Sequence, residues 1–335
     1  MLKLIDFRYA LLAFAIFLTA CSQAPKDVEF IDLNLDRINA AQFNQTGDLA
    51  VSVGRDIGVY SFAGQLQNLL NLPEPDGVWF VEWANDNTLW IHDRQQIIVW
   101  RPQQEQTQSL TLDISGPIRT LSAAGSYGLV ALENNNVYWF NTDASQPNGL
   151  TQSKLFTTAN HQAMQLEVML HDDQVSFFAL LRNGYLIRGN PNSSELETSV
   201  LPQSPIALMF GGPNSNSIYA LLGSSNNPLA TQNTIQVLNV NTRQRFPSVS
   251  VESGVSVARY TSYGVVVGGG NNQWHAWGSV NQAWQHGYAQ KHSNPLHRTD
   301  IIDVFEYANH IGLLTSDGVI QKWPTSYFFE ETEQE

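Results

Sequence analysis

Apolar and polar positions alternate in short runs along most of the chain, and a polar turn follows each pair of runs. After a turn, an apolar-x-apolar-large step recurs. It appears as Ile57-Gly-Val-Tyr60, Ile97-Ile-Val-Trp100, Val137-Tyr-Trp-Phe140, Ile235-Gln-Val-Leu238, Trp274-His-Ala-Trp277 and Ile320-Gln-Lys-Trp323. The large residues stand at 60, 100, 140, 238, 277 and 323, with gaps of 40, 40, 98, 39 and 46. The gap of 98 holds two units, and "RNGYLIRGN" (182–190) is a degenerate copy in the missing place. That makes seven copies with a mean period near 44. Alternation with period two predicts half-buried strands, and a fixed period of this length predicts repeated supersecondary units.

Each copy has one internal order. An apolar strand comes first, as in "VWFVEWA", "MQLEVML", "VSVARYT" and "IIDVFEY". A second follows, as in "DLAVSV", "TLWIHD" and "YGVVVGG". A tight polar turn comes next, at Arg55-Asp56, Asn134-Asn135, Asn183-Gly184, Asn271-Asn272 or Asp317-Gly318. The third strand carries the repeated step, and a more polar fourth leads onward. Four antiparallel strands per unit predict an all-β, seven-bladed β-propeller over residues 29–325. Asn and Gly at the turns supply the positive φ that tight hairpins need. The last copy has only three strands, while "EFIDLNLD" (29–36) is an orphan strand ahead of the first. That N-terminal strand is expected to complete the last blade and close the ring, which removes an open sheet edge. The pattern resembles the WD-repeat and quinoprotein-like propellers, although no closing Trp is followed by Asp, so the resemblance is one of architecture.

The first 20 residues depart from this pattern. Lys3 and Arg8 precede an uncharged run, Tyr9–Leu18, and the small residues Thr19 and Ala20 follow. This is the layout of a secretory signal peptide, and the run is too short for a spanning helix. Leu18-Thr19-Ala20-Cys21 resembles the lipobox of bacterial lipoproteins. That resemblance implies cleavage before Cys21, a diacylglycerol on its thiol and acylation of the new amino group. Two or more acyl chains anchor a protein stably where one does not. Residues 21–28 would form a lipidated tether, and 326–335 an acidic C-terminal tail. Ser22, rather than Asp, follows the cysteine, which by the same resemblance implies an outer-membrane, periplasm-facing location.

Composition narrows the functional classes. Cys21 is the one cysteine of the chain, so no intrachain disulfide can form. Cleavage before it removes Lys3, Arg8 and Asp6, leaving 15 basic and 29 acidic side chains, a net of −14. Such a surface repels phosphate backbones, so no nucleic-acid partner is expected.

Candidate chemistry is sparse. Asp32, Asn34 and Asp36 begin like a calcium loop, but Arg37 and Phe43 occupy the positions that need Gly and an acidic residue. Ile31, Leu33 and Leu35 between them fit a half-buried strand. His275, His286, His292, His297 and His310 cluster in sequence without a ligand-pair spacing, and His292 and His297 are expected in a polar connection. The glycines of "YGVVVGGGNN" (263–272) lack the following helix a dinucleotide site requires. Asp56, Asp86, Asp93, Asp172, Asp173 and Asp317 read as turn residues. Trp79, Phe80, Trp83 and Trp90 are expected mainly in blade cores, with at least one near a rim. Tyr327-Phe328-Phe329 would either cap the ring or dock a partner. No catalytic, cofactor or metal site is predicted. The expectation is a membrane-anchored platform for an envelope protein partner. Two alternatives stay open: a carbohydrate- or peptidoglycan-fragment-binding protein or hydrolase at the channel mouth, an enzyme being marked by carboxylates with raised pKa values converging there, and a small-ligand or sugar-binding sensor, marked by exposed tryptophans around a pocket.

Overall fold

The computed structural model describes residues 27–328, apart from 36, 111–112, 143–149, 159–160, 172–173, 192, 194, 202–203, 212–216, 224–232, 252–253, 279–288 and 294–299. Strand β1 (Glu29–Asp32) comes first. Blade 1 is β2 (Ala40–Phe43), β3 (Leu49–Val53), β4 (Asp56–Tyr60) and β5 (Leu66–Asn71). Blade 2 is β6 (Phe80–Asn85), β7 (Thr88–His92), β8 (Ile97–Arg101) and β9 (Gln106–Leu110). Blade 3 is β10 (Ile118–Ala124), β11 (Tyr127–Leu132), β12 (Asn136–Asn141) and β13 (Thr151–Thr157). Blade 4 is β14 (Ala163–His171), β15 (Gln174–Leu181), β16 (Tyr185–Gly189) and β17 (Leu196–Val200). Blade 5 is β18 (Ser204–Phe210), β19 (Ile218–Gly223), β20 (Asn233–Asn239) and β21 (Val249–Val251). Blade 6 is β22 (Val255–Tyr260), β23 (Gly264–Gly269), β24 (Gln273–Gly278) and β25 (Ala289–Ser293). Blade 7 is β26 (Ile301–Tyr307), β27 (His310–Thr315) and β28 (Val319–Pro324), with β1 added at its outer edge.

The seven-bladed reading therefore holds, and the repeated steps are the third strands β4, β8, β12, β20, β24 and β28. The degenerate seventh is β16. In each blade the first strand lies innermost, and neighbouring strands pair antiparallel. Buried apolar side chains fall into seven clusters, one in each gap between adjacent blades. A sheet with two apolar faces can bury both only by packing between two others. A closed ring satisfies every blade in that way.

Three local expectations need correction. The turn before β4 is Gly54-Arg55, with Gly54 at φ 57, and Asp56 is already paired with Val53. The clasp strand stops at Asp32 rather than running to 36, because Asn34 takes φ 55 and its N–H bonds back to Asp32 Oδ1 at 2.8 Å. Leu33 and Leu35 still pack into the gap between blades 7 and 1. His292 lies in β25 opposite Trp274, not in a loop, whereas His286 and His297 lie outside the described residues.

Ring closure combines several contacts. β1 pairs with β28 from Glu29↔Lys322 to Asp32↔Val319. Lys322 Nζ sits 3.1 Å from Glu29 and 4.8 Å from the centre of the Phe62 ring. Phe43 of blade 1 stacks on Phe305 of blade 7 with centroids 5.0 Å apart, and Phe62 packs edge-on against both. Gly312 makes room for that ring, since a Cβ there would come within 2.8 Å of Phe62.

Deleting residues 22–34 from the mature protein strips the ladder and exposes the apolar partners of Ile31 and Leu33. The expected loss is on the order of 3 kcal/mol, read by urea unfolding. An unchanged midpoint would show that the clasp does not close the ring.

Candidate functional site

The innermost strands all run toward one face of the ring, and six of the seven carry a polar side chain near mid-strand. These are Gln42 on β2, Glu82 on β6, Ser122 on β10, Glu167 on β14 with Gln165 two places before it, Arg259 on β22 and Asp303 on β26. They link blades. The Trp83 N–H donates to Gln42 Oε1, the Val168 N–H to Ser122 Oγ at 3.1 Å, and the Leu208 N–H to Gln165 Oε1 at 2.7 Å. The Phe43 N–H donates to Asp303 Oδ2 at 2.8 Å. Side chains thus accept the amides that the innermost strands, lacking an inner neighbour, cannot pair with backbone.

Four of the channel groups are ionisable. Arg259 Nη2 lies 3.3 Å from Asp303 Oδ1, with 40% of the Arg259 side chain open to the channel against 2% of Asp303. Burial pushes the Glu82 carboxyl up to about 8, and the nearby Glu167 charge adds to the rise. A hydrogen bond from Gln42 Nε2 at 3.0 Å and the Arg259 charge act against it. Burial raises Glu167 too, opposed by the Gln165 amide at 2.8 Å and by Arg259. In Asp303 burial works upward against Arg259 and the Phe43 and Val304 amides. For Arg259, burial is outweighed by Asp303, Glu167 and Glu82, so the guanidinium stays charged.

Above this cluster the channel widens into a cavity of about 720 Å³ at the face where the innermost strands end. All seven blades line it. Trp83, Val168, Leu170, Phe210, Tyr260 and Phe305 make an apolar wall, and Gln42 and Arg259 lie at its base. Leu170 keeps 47% of its surface exposed. Glu82, Glu167 and Asp303 sit deeper and do not line the cavity.

The residues singled out in the sequence distribute as follows. Trp79 and Trp90 are fully buried in blade gaps, Trp83 reaches the mouth, and Phe80 lies exposed toward the other face, stacked on His92. Phe328 is buried against Trp274 with centroids 4.0 Å apart, and the Tyr327 hydroxyl donates to Asp27 Oδ1 at 2.6 Å. Phe328 thus fills the gap between blades 6 and 7, Tyr327 ties the end of the last blade to the segment ahead of β1, and Phe329 lies outside the described residues. So do Cys21, Asp36, Asp172 and Asp173. Asp93 is buried at a turn. Burial alone would raise its pKa, but bonds from the Gln95, Asp76 and Gln96 amides bring it below the usual range. Asp56 accepts from Asn71 Nδ2, and Asp86 is in the β6–β7 turn at the mouth. His275 is buried in β24, and the His310 ring bonds the Ala308 carbonyl. Among the described residues no three His, Cys, Asp or Glu are grouped to hold a metal ion. The channel quartet was missed, although its signal was present as one charged residue at the middle of an apolar first strand.

No family model matches the chain, and no curated protein matches it. Solved structures do. The propeller domain of Myceliophteria thermophila Cps50 (Swd1) superposes with TM-score 0.65 at 11% identity, over 88% of this chain and 99% of that one. U3-55K gives 0.67 at 9%, over 89% and 98%. YCF48 with bound D1 peptide gives 0.62 at 12%, over 90% and 96%. A WD40-like β-propeller fold is thereby established.

Two outcomes are expected. Asp303→Ala should cost at least about 3 kcal/mol in urea unfolding, because it leaves two amides and a guanidinium without their acceptor. A loss below 1 kcal/mol, on the order of an ordinary surface change, would contradict the linking role. Glu82 has a folded pKa above its unfolded value, so its contribution is full at low pH and is lost as pH rises through about 8. Melting of the wild type should therefore fall more steeply from pH 6 to pH 9 than that of Glu82→Gln, and parallel curves would contradict the burial of this carboxyl.

Proposed function

We propose that the protein is a lipoprotein acylated at Cys21 and held, periplasm-facing, at the outer membrane, where its propeller serves as a protein-interaction platform in an envelope complex. The mouth carries this reading: all seven blades converge on one cavity of about 720 Å³ with an apolar wall and polar groups at its base. A rigid ring holds such a wall in place without a partner, so little ordering entropy is lost when one binds. One structure the chain resembles is YCF48 holding a peptide, and another is a chain of the mitotic checkpoint complex, with TM-score 0.63 at 15% identity. The lipobox-like Leu18-Thr19-Ala20-Cys21 and the signal-like segment ahead of it support the anchor.

A second reading has one observation in its favour. Glu82 and Glu167 converge with raised pKa values, as a hydrolase of carbohydrate or peptidoglycan fragments would need. Against it, both accept hydrogen bonds from glutamine amides and lie below the cavity rather than on its wall.

Mass spectrometry of the mature N-terminus should find an acylated Cys21, and Cys21→Ser should move the protein to the soluble fraction. An unmodified thiol contradicts the anchor. An envelope protein should co-purify with the wild type and be reduced about tenfold by Leu170→Asp, a change at an exposed wall position. A bait that retains no protein but cleaves peptidoglycan fragments, with loss in Glu82→Gln, would favour the second reading.

A further inference from the structure

The last blade fixes which face the anchor holds. Val304, Phe305 and Glu306 near the end of β26 line the mouth. The chain turns there at Ala308-Asn309 into β27, and β28 returns to the same face, with Pro324 opposite His310. β1 runs antiparallel to β28, with Glu29 opposite Lys322 and Asp32 opposite Val319. Its first residue therefore lies on the mouth side and its last on the far side. The Tyr327–Asp27 hydrogen bond fastens the incoming chain to that same side. Cys21 precedes Asp27 by six residues, a span of at most about 20 Å when fully extended.

The mouth also has a sign. Turns that join first to second strands border it, and among their described residues there is no lysine or arginine. Those turns carry Asp48 and Asp86, and Glu306 stands at the end of β26. The one guanidinium at the base, Arg259, is taken by Asp303, with Glu167 and Glu82 close behind it. The aromatic and aliphatic wall suits the alkyl stems and cationic heads of Lys and Arg. An anionic lipid headgroup carries the wrong charge for this rim. So does the chain's own tail, with Glu330, Glu331, Glu333 and Glu335.

We propose that the mouth face is turned toward the bilayer and receives a Lys/Arg-bearing segment of an integral membrane protein where that protein leaves the membrane. This rests on acylation of Cys21. Approach along the membrane would present such a segment to an acidic mouth held within a short tether of the surface, and opposite charge would steer it in.

The test uses the full acylated protein on phospholipid vesicles. Acylation blocks Cys21, so Asp86→Cys at the mouth and Arg55→Cys on the far face each give one thiol for a fluorophore. With a quencher on the lipid headgroups, the mouth label should lose the larger share of its emission. Equal or reversed quenching of vesicle-bound protein overturns the orientation. Failure of the protein to float with vesicles is a separate result, which removes the anchor and the proposal with it. A photocrosslinker at Leu170 in envelope membranes identifies the occupant. The adduct should map to a segment of an integral membrane protein with excess Lys and Arg. It should fall about fivefold or more in Asp48→Lys/Asp86→Lys and persist in Arg55→Glu. Lipid adducts, soluble or acidic partners, no adduct, or indifference to the rim charges would each overturn the assignment.

Discussion

Asp303 is the contact on which the ring most depends. The ring is closed without a covalent link at one place, the β1–β28 ladder of blade 7, and β1 leads directly on into blade 1. Asp303 stands on the innermost strand of that closing blade and reaches to both neighbouring blades. One oxygen accepts the Phe43 amide of blade 1, while the other accepts the Val304 amide and faces Arg259 of blade 6. Three blades thus meet on one carboxylate that is almost sealed from water. Such a group is tolerated inside only because its partners are complete, and removal of any one leaves a buried charge uncompensated. At larger radius the β1–β28 ladder closes blade 7 itself, and the Phe43–Phe62–Phe305 rings fill the gap between blades 7 and 1.

The same arrangement shapes the mouth. Innermost strands have unpaired inner edges, and the polar side chains that satisfy them must point into the channel. Gln42, Gln165 and Ser122 do this with neutral groups. Glu82, Glu167, Arg259 and Asp303 add ionisable groups, three carboxyls around one guanidinium. Apolar residues one or two places further along each strand then form the wall above. Blade-to-blade linkage and the polarity of the cavity base are therefore one set of residues, which is why mutation of the base is expected to cost stability as well as binding.

Much of the architecture was legible in the sequence because it is periodic. Trp100, Trp277 and Trp323 recur at the end of third strands, and a regular spacing reports a repeated unit whatever its details. The orphan segment at 29 pointed to β1 because the last blade lacked a strand. The clasp's true end at Asp32 was not legible, since the alternation of Ile31, Leu33 and Leu35 continues past it and only the positive φ of Asn34 breaks the ladder. Gly54 was passed over for the same kind of reason, as the polar Arg55-Asp56 pair drew the turn one residue late. Glu82, Glu167, Arg259 and Asp303 follow one another at separations of 85, 92 and 44 residues, so no local motif marks them. Their equivalence appears only when the first strands are set side by side in the ring.

The most direct test of the mouth as the working face is hydrogen–deuterium exchange on the acylated protein, alone on vesicles and in native envelope membranes. Amides in the mouth turns at 44–48, 85–87, 125–127 and 261–264 should gain protection in the envelope sample. Those in the far turns at 54–55, 93–96 and 133–135 should not change. Protection of the far turns, or of the outer strands β5 and β17 with the mouth unaffected, would contradict it.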